Sequence, residues 1–232
     1  MRKIGFIGAY DKTDFLLYIS KILVELGQRV LLVDGTIMQK ARYIVPTIEP
    51  SRTYVTEFEG IDIAVGLKTI EDIKGYLGIP LAEELPYDIA LIDTDTAGSV
   101  MNFKIENSEK IYFTTSFDMY SIRRGIESIS GVQTKVVATK VLFTKHATKE
   151  ENDYLNFLSK DSNIEWNNEI IFLPFELGDQ TVIYKNQRVA KIKLKGLTTQ
   201  YKEGLIYIVG DIIGQENYPI IKKAFKKIEK GI

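Results

Sequence analysis

Gly8 is followed four residues later by Lys12 and then Thr13, at the start of a helical pattern. A glycine-bearing turn that ends in Lys-Thr at a helix start is a layout for holding phosphate. Backbone N–H groups point at anionic oxygens, the lysine adds positive charge, and the threonine hydroxyl takes Mg²⁺. Asp34 and Asp93 each close a fully apolar run, VLLV and IALI. Acids at strand ends often serve only as loop caps, but these two lie at the strand ends where ligands sit in such folds, as Gly8 to Thr13 do. Asp11 cuts against this chemistry, because it puts a carboxylate where an anion would sit. At about 4 Å an uncompensated like charge costs roughly 1–4 kcal/mol, depending on the local dielectric. Asp11 also has a purely structural reading. The run D-K-T-D predicts Asp11 as helix N-cap with Asp14 three residues on, close to a capping box, so that the carboxylate takes the N–H groups a phosphate would use.

The elements that would position these residues alternate along the chain. Residues 4–7 are short and apolar, as in a central parallel strand. Residues 13–26 place Phe15, Leu16, Ile19, Ile22, Leu23 and Leu26 on one helical face, with Gly27 as the C-terminal stop. Residues 30–33 read as a second buried strand, which makes a right-handed βαβ unit. Residues 35–51 give no clear pattern and contain Pro46 and Pro50. Beyond them the pattern predicts a weak strand at 53–58 and strands at 61–65, 89–92, 110–114, 135–143 and 169–173. Helices are predicted at 69–77 (N-cap Thr69), 119–129 (N-cap Asp118), 149–158 and 198–213. Residues 185–195, KNQRVAKIKLK, alternate like a lysine-bearing edge strand. The expectation is an α/β fold, a doubly wound, mostly parallel sheet flanked by helices, over residues 1–214, with ligands beyond the carboxyl ends of the strands.

Composition narrows the function. The chain has 232 residues, a formal net charge of −1, no Cys and a single His, His146. Without Cys there are no disulfides, thiolate metal sites or thiol nucleophile, and one His argues against a His-based zinc site or a Ser-His-Asp triad. The start of the chain lacks a signal-peptide layout and no run is apolar for long enough to span a bilayer, so a cytoplasmic protein is expected.

In order and spacing the chain resembles the MinD/ParA family of P-loop ATPases over nearly its whole length. The resemblance rests on the Lys12-Thr13 loop, on VLLVD ending at Asp34, on YDIALID with Tyr87, Asp88 and Asp93 in the Walker B pattern, on KIYFTTSFDMYSIRRGIESI, and on FLPFELGDQTVIYKNQRV. The family loop reads KGGxGKT. Here Gly8, Lys12 and Thr13 match, while Ile7 replaces the lysine that reaches a partner's nucleotide, and Ala9 and Asp11 replace glycines. This is similar to the atypical, TadZ-like members whose loop also drifts. The resemblance implies ATP and Mg²⁺ as cofactors. Gly8, Asp11, Lys12 and Thr13 would lie at the nucleotide, Thr13 and Asp93 at the metal, and Asp34 would take the catalytic place. It also implies a homodimer.

Residues 215–232 form a separate basic amphipathic helix in this reading. Ile220, Ile221, Phe225 and Ile228 share one face, and Lys222, Lys223, Lys226 and Lys227 lie on the other. That is the layout for resting on an anionic membrane surface or a partner. Packing of the apolar face on the domain itself is the plainer alternative. The expected function is a MinD/ParA-like spatial or assembly factor with a degenerate nucleotide site and weak or no hydrolysis. It would act through a protein partner or at the inner face of a membrane. The alternatives are a working Mg-dependent ATPase, a ParA-like DNA-segregation factor, for which near-neutral charge is a poor fit, and a ligase of the same superfamily.

Overall fold

The computed structural model describes residues 1–47 and 52–231. Pro50 and the terminal Ile232, both part of the sequence reading, lie outside them. The sheet has eight strands: β1 (Arg2–Ile7), β2 (Val30–Gly35), β3 (Tyr54–Phe58), β4 (Ile61–Val65), β5 (Ile89–Thr94), β6 (Lys110–Thr115), β7 (Val136–Leu142) and β8 (Ile164–Phe172). Their spatial order is β3-β4-β2-β5-β1-β6-β7-β8, parallel throughout except that β3 runs antiparallel to β4. The helices are α1 (Thr13–Glu25), α2 (Ala41–Ile44), α3 (Ile70–Leu77), α4 (Ala97–Asn102), α5 (Met119–Ile129), α6 (Lys149–Leu158), α7 (Leu177–Val189), α8 (Thr199–Ile213) and α9 (Tyr218–Lys230).

Side chains alternate across a strand, and the two faces carry two cores. Ile4, Phe6, Val30, Leu32, Ile89 and Leu91 pack with α1, α8 and α9. Ile7, Leu31, Val33, Ala90 and Ile92 pack with α3, α4, α5 and α6. The doubly wound architecture expected from the sequence is the one observed. Asp34 and Asp93 continue the alternation of the first set, so both face α1, and they are register partners across β2 and β5.

Local chemistry explains most helix starts. Thr69 and Asp72 form a capping box on α3, and Gly78 ends it in the left-handed conformation. The Asp118 side chain accepts the Ser121 N–H at the start of α5. Three expectations need correction. The 185–195 run is not an edge strand: it is the end of α7 followed by a loop. The last strand begins at Ile164 rather than residue 169. The C-terminal helix is not set apart from the domain. α9 packs on α1 and α8, and Ile221, Phe225 and Ile228 join the core shared with them. Those three residues therefore face inward. Ile220 and the lysines face outward. No helix among the described residues is long and apolar enough to cross a membrane.

Candidate functional site

The chain leaves β1 between β5 and β6 through a turn that only glycine fits. Gly8 has φ +141, and a Cβ there would lie 2.0 Å from the Thr114 carbonyl oxygen. The turn is held by the Gly8 N–H, which donates to Thr94 O at 3.0 Å. The Tyr10 ring stacks on Phe143, with centroids 4.2 Å apart. Lys12 then ends the turn and α1 begins.

Lys12 is 2% exposed. Its ammonium donates to Gly8 O at 2.7 Å and lies 2.6 Å from Asp93 Oδ1. The approach to Asp93 is close but not aligned as a hydrogen bond, and Oδ1 meets no other donor. The pair is an ionic contact rather than a directed bond. Burial pushes the Asp93 carboxyl up to about 7; Lys12 pulls it back and Asp34 adds to the rise.

Asp34 is buried and fully engaged by the loop after β2. Its Oδ1 accepts Thr36 Oγ1 at 2.6 Å and Thr36 N–H at 3.2 Å, and its Oδ2 accepts the Ala41 N–H at 3.0 Å. Asp95 similarly accepts the Ile37 N–H, at 3.0 and 3.1 Å from its two oxygens. Asp11 does not become the N-cap, which is Lys12 with no side-chain cap bond. It instead accepts the Thr13 N–H at 3.2 Å. Asp14 does not reach back to close a capping box. It turns to Gln187 of α7 and to Lys40, whose ammonium contacts Asp11 Oδ2 and Asp14 Oδ2, each at 2.6 Å. Burial works against the Lys40 ammonium, yet Asp14 and Asp11 raise its pKa.

A cleft of about 210 Å³ opens over this turn, lined by Ala9–Thr13, Thr36, Met38, Lys40, Tyr43, Asp93 and Asp95. The structure thus brings Asp11, Lys12, Thr13 and Asp93 into one cleft. Gly8 shapes its floor, and Asp34 lies behind it. Sequence reasoning missed Lys40 and the tie from Asp95. Both depend on how Asp34 folds the 36–41 loop, and no local spacing signals that.

An ATP-Mg²⁺ group is compatible with these residues. Lys12 would hold phosphate oxygens, and Thr13 and Asp93 would hold the metal, which supplies charge neutralisation at the phosphates. The buried Asp93 oxygen suits a cation, and in this structure that cation is the Lys12 ammonium. The carboxylates of Asp11, Asp14, Asp34, Asp93 and Asp95 outnumber the ammonium groups of Lys12 and Lys40, which disfavours a polyanion.

No protein-family model matches the sequence, and no curated protein does. Solved structures do. The MinD cell division protein of Aquifex aeolicus superposes with TM-score 0.54 at 15% identity, covering 92% of this chain and 97% of that one. A ParA family ATPase from Chlorobium tepidum TLS gives 0.52 at 13%, covering 90% and 97%. A protein of Borrelia burgdorferi B31 described as a plasmid partition protein, with AMPPNP bound, gives 0.53 at 12%, covering 92% and 100%. The chain has the fold of the MinD/ParA ATPases.

Proposed function

We propose that this chain is a MinD/ParA-like positioning or assembly factor whose cleft binds nucleotide weakly and hydrolyses it little or not at all. The observation that carries this reading is that the groups needed for nucleotide are engaged with one another. Asp11 takes the Thr13 N–H, Lys12 is folded onto Gly8 O and Asp93, and both oxygens of Asp34 are occupied by its own loop. Phosphate binding has to displace the first two contacts, and water orientation by Asp34 has to share an oxygen already tied to its loop.

Work is then done by surfaces. Around the cleft Ile37, Met38 and Tyr43 are 63%, 77% and 79% exposed, an apolar rim that suits a protein partner or a second copy of the chain. On α9 the contact role passes to Ile220, Lys222, Lys223, Lys226 and Lys230, since Lys227 is paired with Glu25 at 2.6 Å. This lysine face suits an anionic surface by charge, without insertion of Ile221, Phe225 or Ile228.

One observation favours a working Mg-ATPase instead: Lys12, Thr13 and the buried Asp93 carboxyl line one cleft. In that reading Lys12 holds the β- and γ-phosphates, Thr13 and Asp93 hold Mg²⁺, and Asp34 orients water. Binding of Mg-ATP by calorimetry, with turnover measured on the same full-length protein, separates the two. Weak binding with no turnover above background supports the assembly reading, and steady turnover that Thr13→Ala abolishes overturns it.

A further inference from the structure

Lys40 occupies an unusual place. It projects from the loop that Asp34 ties down, next to Gln39, a non-glycine residue at φ +45. Its ammonium bridges two carboxylates of the phosphate turn and α1 at equal distances of 2.6 Å. The bridge is also a partition. On one side is the cleft over Lys12, Thr13 and Asp93. On the other is a second cavity of about 250 Å³ lined by Asp14, Phe143, Phe175, Tyr184 and Tyr201 among others. The two cavities have three lining residues in common, Tyr10, Asp11 and Lys40.

A cation at this position has two competing uses. While it sits on Asp11 and Asp14 it screens their repulsion, but it is not available to a ligand and it keeps the cavities apart. An incoming anion is attracted to Lys40 and repelled by the two carboxylates that hold it. Gln39, immediately before Lys40, is a left-handed non-glycine residue, a sparsely populated conformation that the tied loop holds in place. The side chain is 30% exposed, so it is reachable from solvent.

We propose that Lys40 is a strap over the cleft that opens to polyphosphate: the phosphate chain of a nucleoside triphosphate takes the Lys40 ammonium from Asp11 and Asp14, and the two cavities become one groove. This deepens the reading of the cleft as a weak nucleotide site and rests on it. Lys40 supplies within the chain a cation that the turn itself lacks at Ile7. The weakness of binding is set by the exchange.

The test is calorimetric binding of Mg-AMPPNP to the full chain and to Asp11→Asn, Lys40→Met and the double variant, with thermal unfolding in the absence of ligand as the check on folding. Asn keeps an oxygen for the Thr13 N–H, so D11N loosens the strap without uncapping the turn. D11N is expected to bind at least fivefold tighter than the parent and K40M at least tenfold weaker. The diagnostic is the double variant. If the strap operates, the gain from D11N requires Lys40 and vanishes in the K40M background. Simple relief of charge repulsion gives the same gain in both backgrounds, and that result overturns the inference. K40M binding within twofold of the parent overturns it as well, as does absence of AMPPNP binding by D11N at millimolar ligand, which leaves the assembly reading standing on its surfaces. Robust ATP turnover by the parent refutes the assembly reading while the strap remains testable by the same four affinities. Tripolyphosphate in place of AMPPNP should reproduce the pattern, since the exchange is with phosphate oxygens alone.

Discussion

Replacing Lys12 by Met measures how far the centre of the cleft is a structural strut. The ammonium of Lys12 lies 2.6 Å from Asp93 Oδ1, and both side chains are almost completely buried. At an effective dielectric of about 20 the attraction over that distance is roughly 6 kcal/mol. Most of it offsets the cost of desolvating two charges, so the pair adds little net stability over an apolar pair of the same size. Breaking it from one side is another matter. K12M leaves the Asp93 carboxylate buried beside Asp34 with no cation and removes the donor to Gly8 O. The expected loss is about 3–5 kcal/mol, a fall in Tm of about 6–20 °C for a chain of this size. D93N should cost less, about 1–2 kcal/mol, because Lys12 keeps Gly8 O as acceptor at 2.7 Å. K12M/D93N should then lie near D93N alone, giving a coupling energy of about 3–5 kcal/mol in a double-mutant cycle. Urea denaturation of the four proteins at about pH 9, above the Asp93 value of about 7, supplies the cycle. If K12M loses under 1 kcal/mol, Asp93 is solvated or protonated in the folded state, and the cleft is not held by this pair. The cycle also bears on nucleotide assays, since loss of ATP binding in a Lys12 variant means little unless the fold survives.

Phe225→Ala should cost about 3–5 kcal/mol by chemical denaturation, because the ring is 3% exposed in the shared core, whereas an unaltered stability would mean that the apolar face of α9 is free for an external surface. The Lys140 ammonium is held between Asn152 Oδ1 and Asn156 Oδ1 at 2.7 and 2.5 Å, over the Trp166 ring, and burial lowers its pKa from 10.5 to about 8. The folded chain gives up this proton more readily than the unfolded one, so its contribution to stability is least favourable below pH 8 and improves as pH rises toward 10.5. The difference between the parent and Lys140→Met in urea midpoint should therefore grow in the parent's favour across that window, by up to about 3 kcal/mol, and a flat difference would show that water reaches the ammonium.

Much of the sheet was legible because buried parallel strands are written as continuous apolar runs. VLLV and IALI sit where β2 and β5 form, and the acids that follow them are register partners. The helix α7 escaped because its buried residues include Asp179 and Asn186, which a hydrophobic pattern counts as surface. Asp179 is buried by accepting the Thr198 N–H and hydroxyl and the Glu176 N–H, a set of partners spread over twenty residues. The start of β8 was missed for a related reason, since only alternate residues such as Ile164 and Trp166 turn inward on this edge. At α9 the amphipathic pattern was right and its meaning was open. An apolar stripe says that a face is covered, not by what, and here the cover is α1 and α8.

The same logic applies to the turn between β1 and α1. In a working phosphate loop the backbone N–H groups at the helix start await an anion, and glycines let the ligand approach. In this chain the Thr13 N–H already has Asp11, Asp11 already has Lys40, and Lys40 is shared with Asp14. Each contact satisfies a group that a ligand would otherwise satisfy, so the free state is stabilised and an anion would have to bind against that stabilisation. Asp93 Oδ1 fits the same pattern: it is buried and its cation is the Lys12 ammonium at 2.6 Å, so an entering metal ion, like an entering phosphate, would have to displace a contact already made.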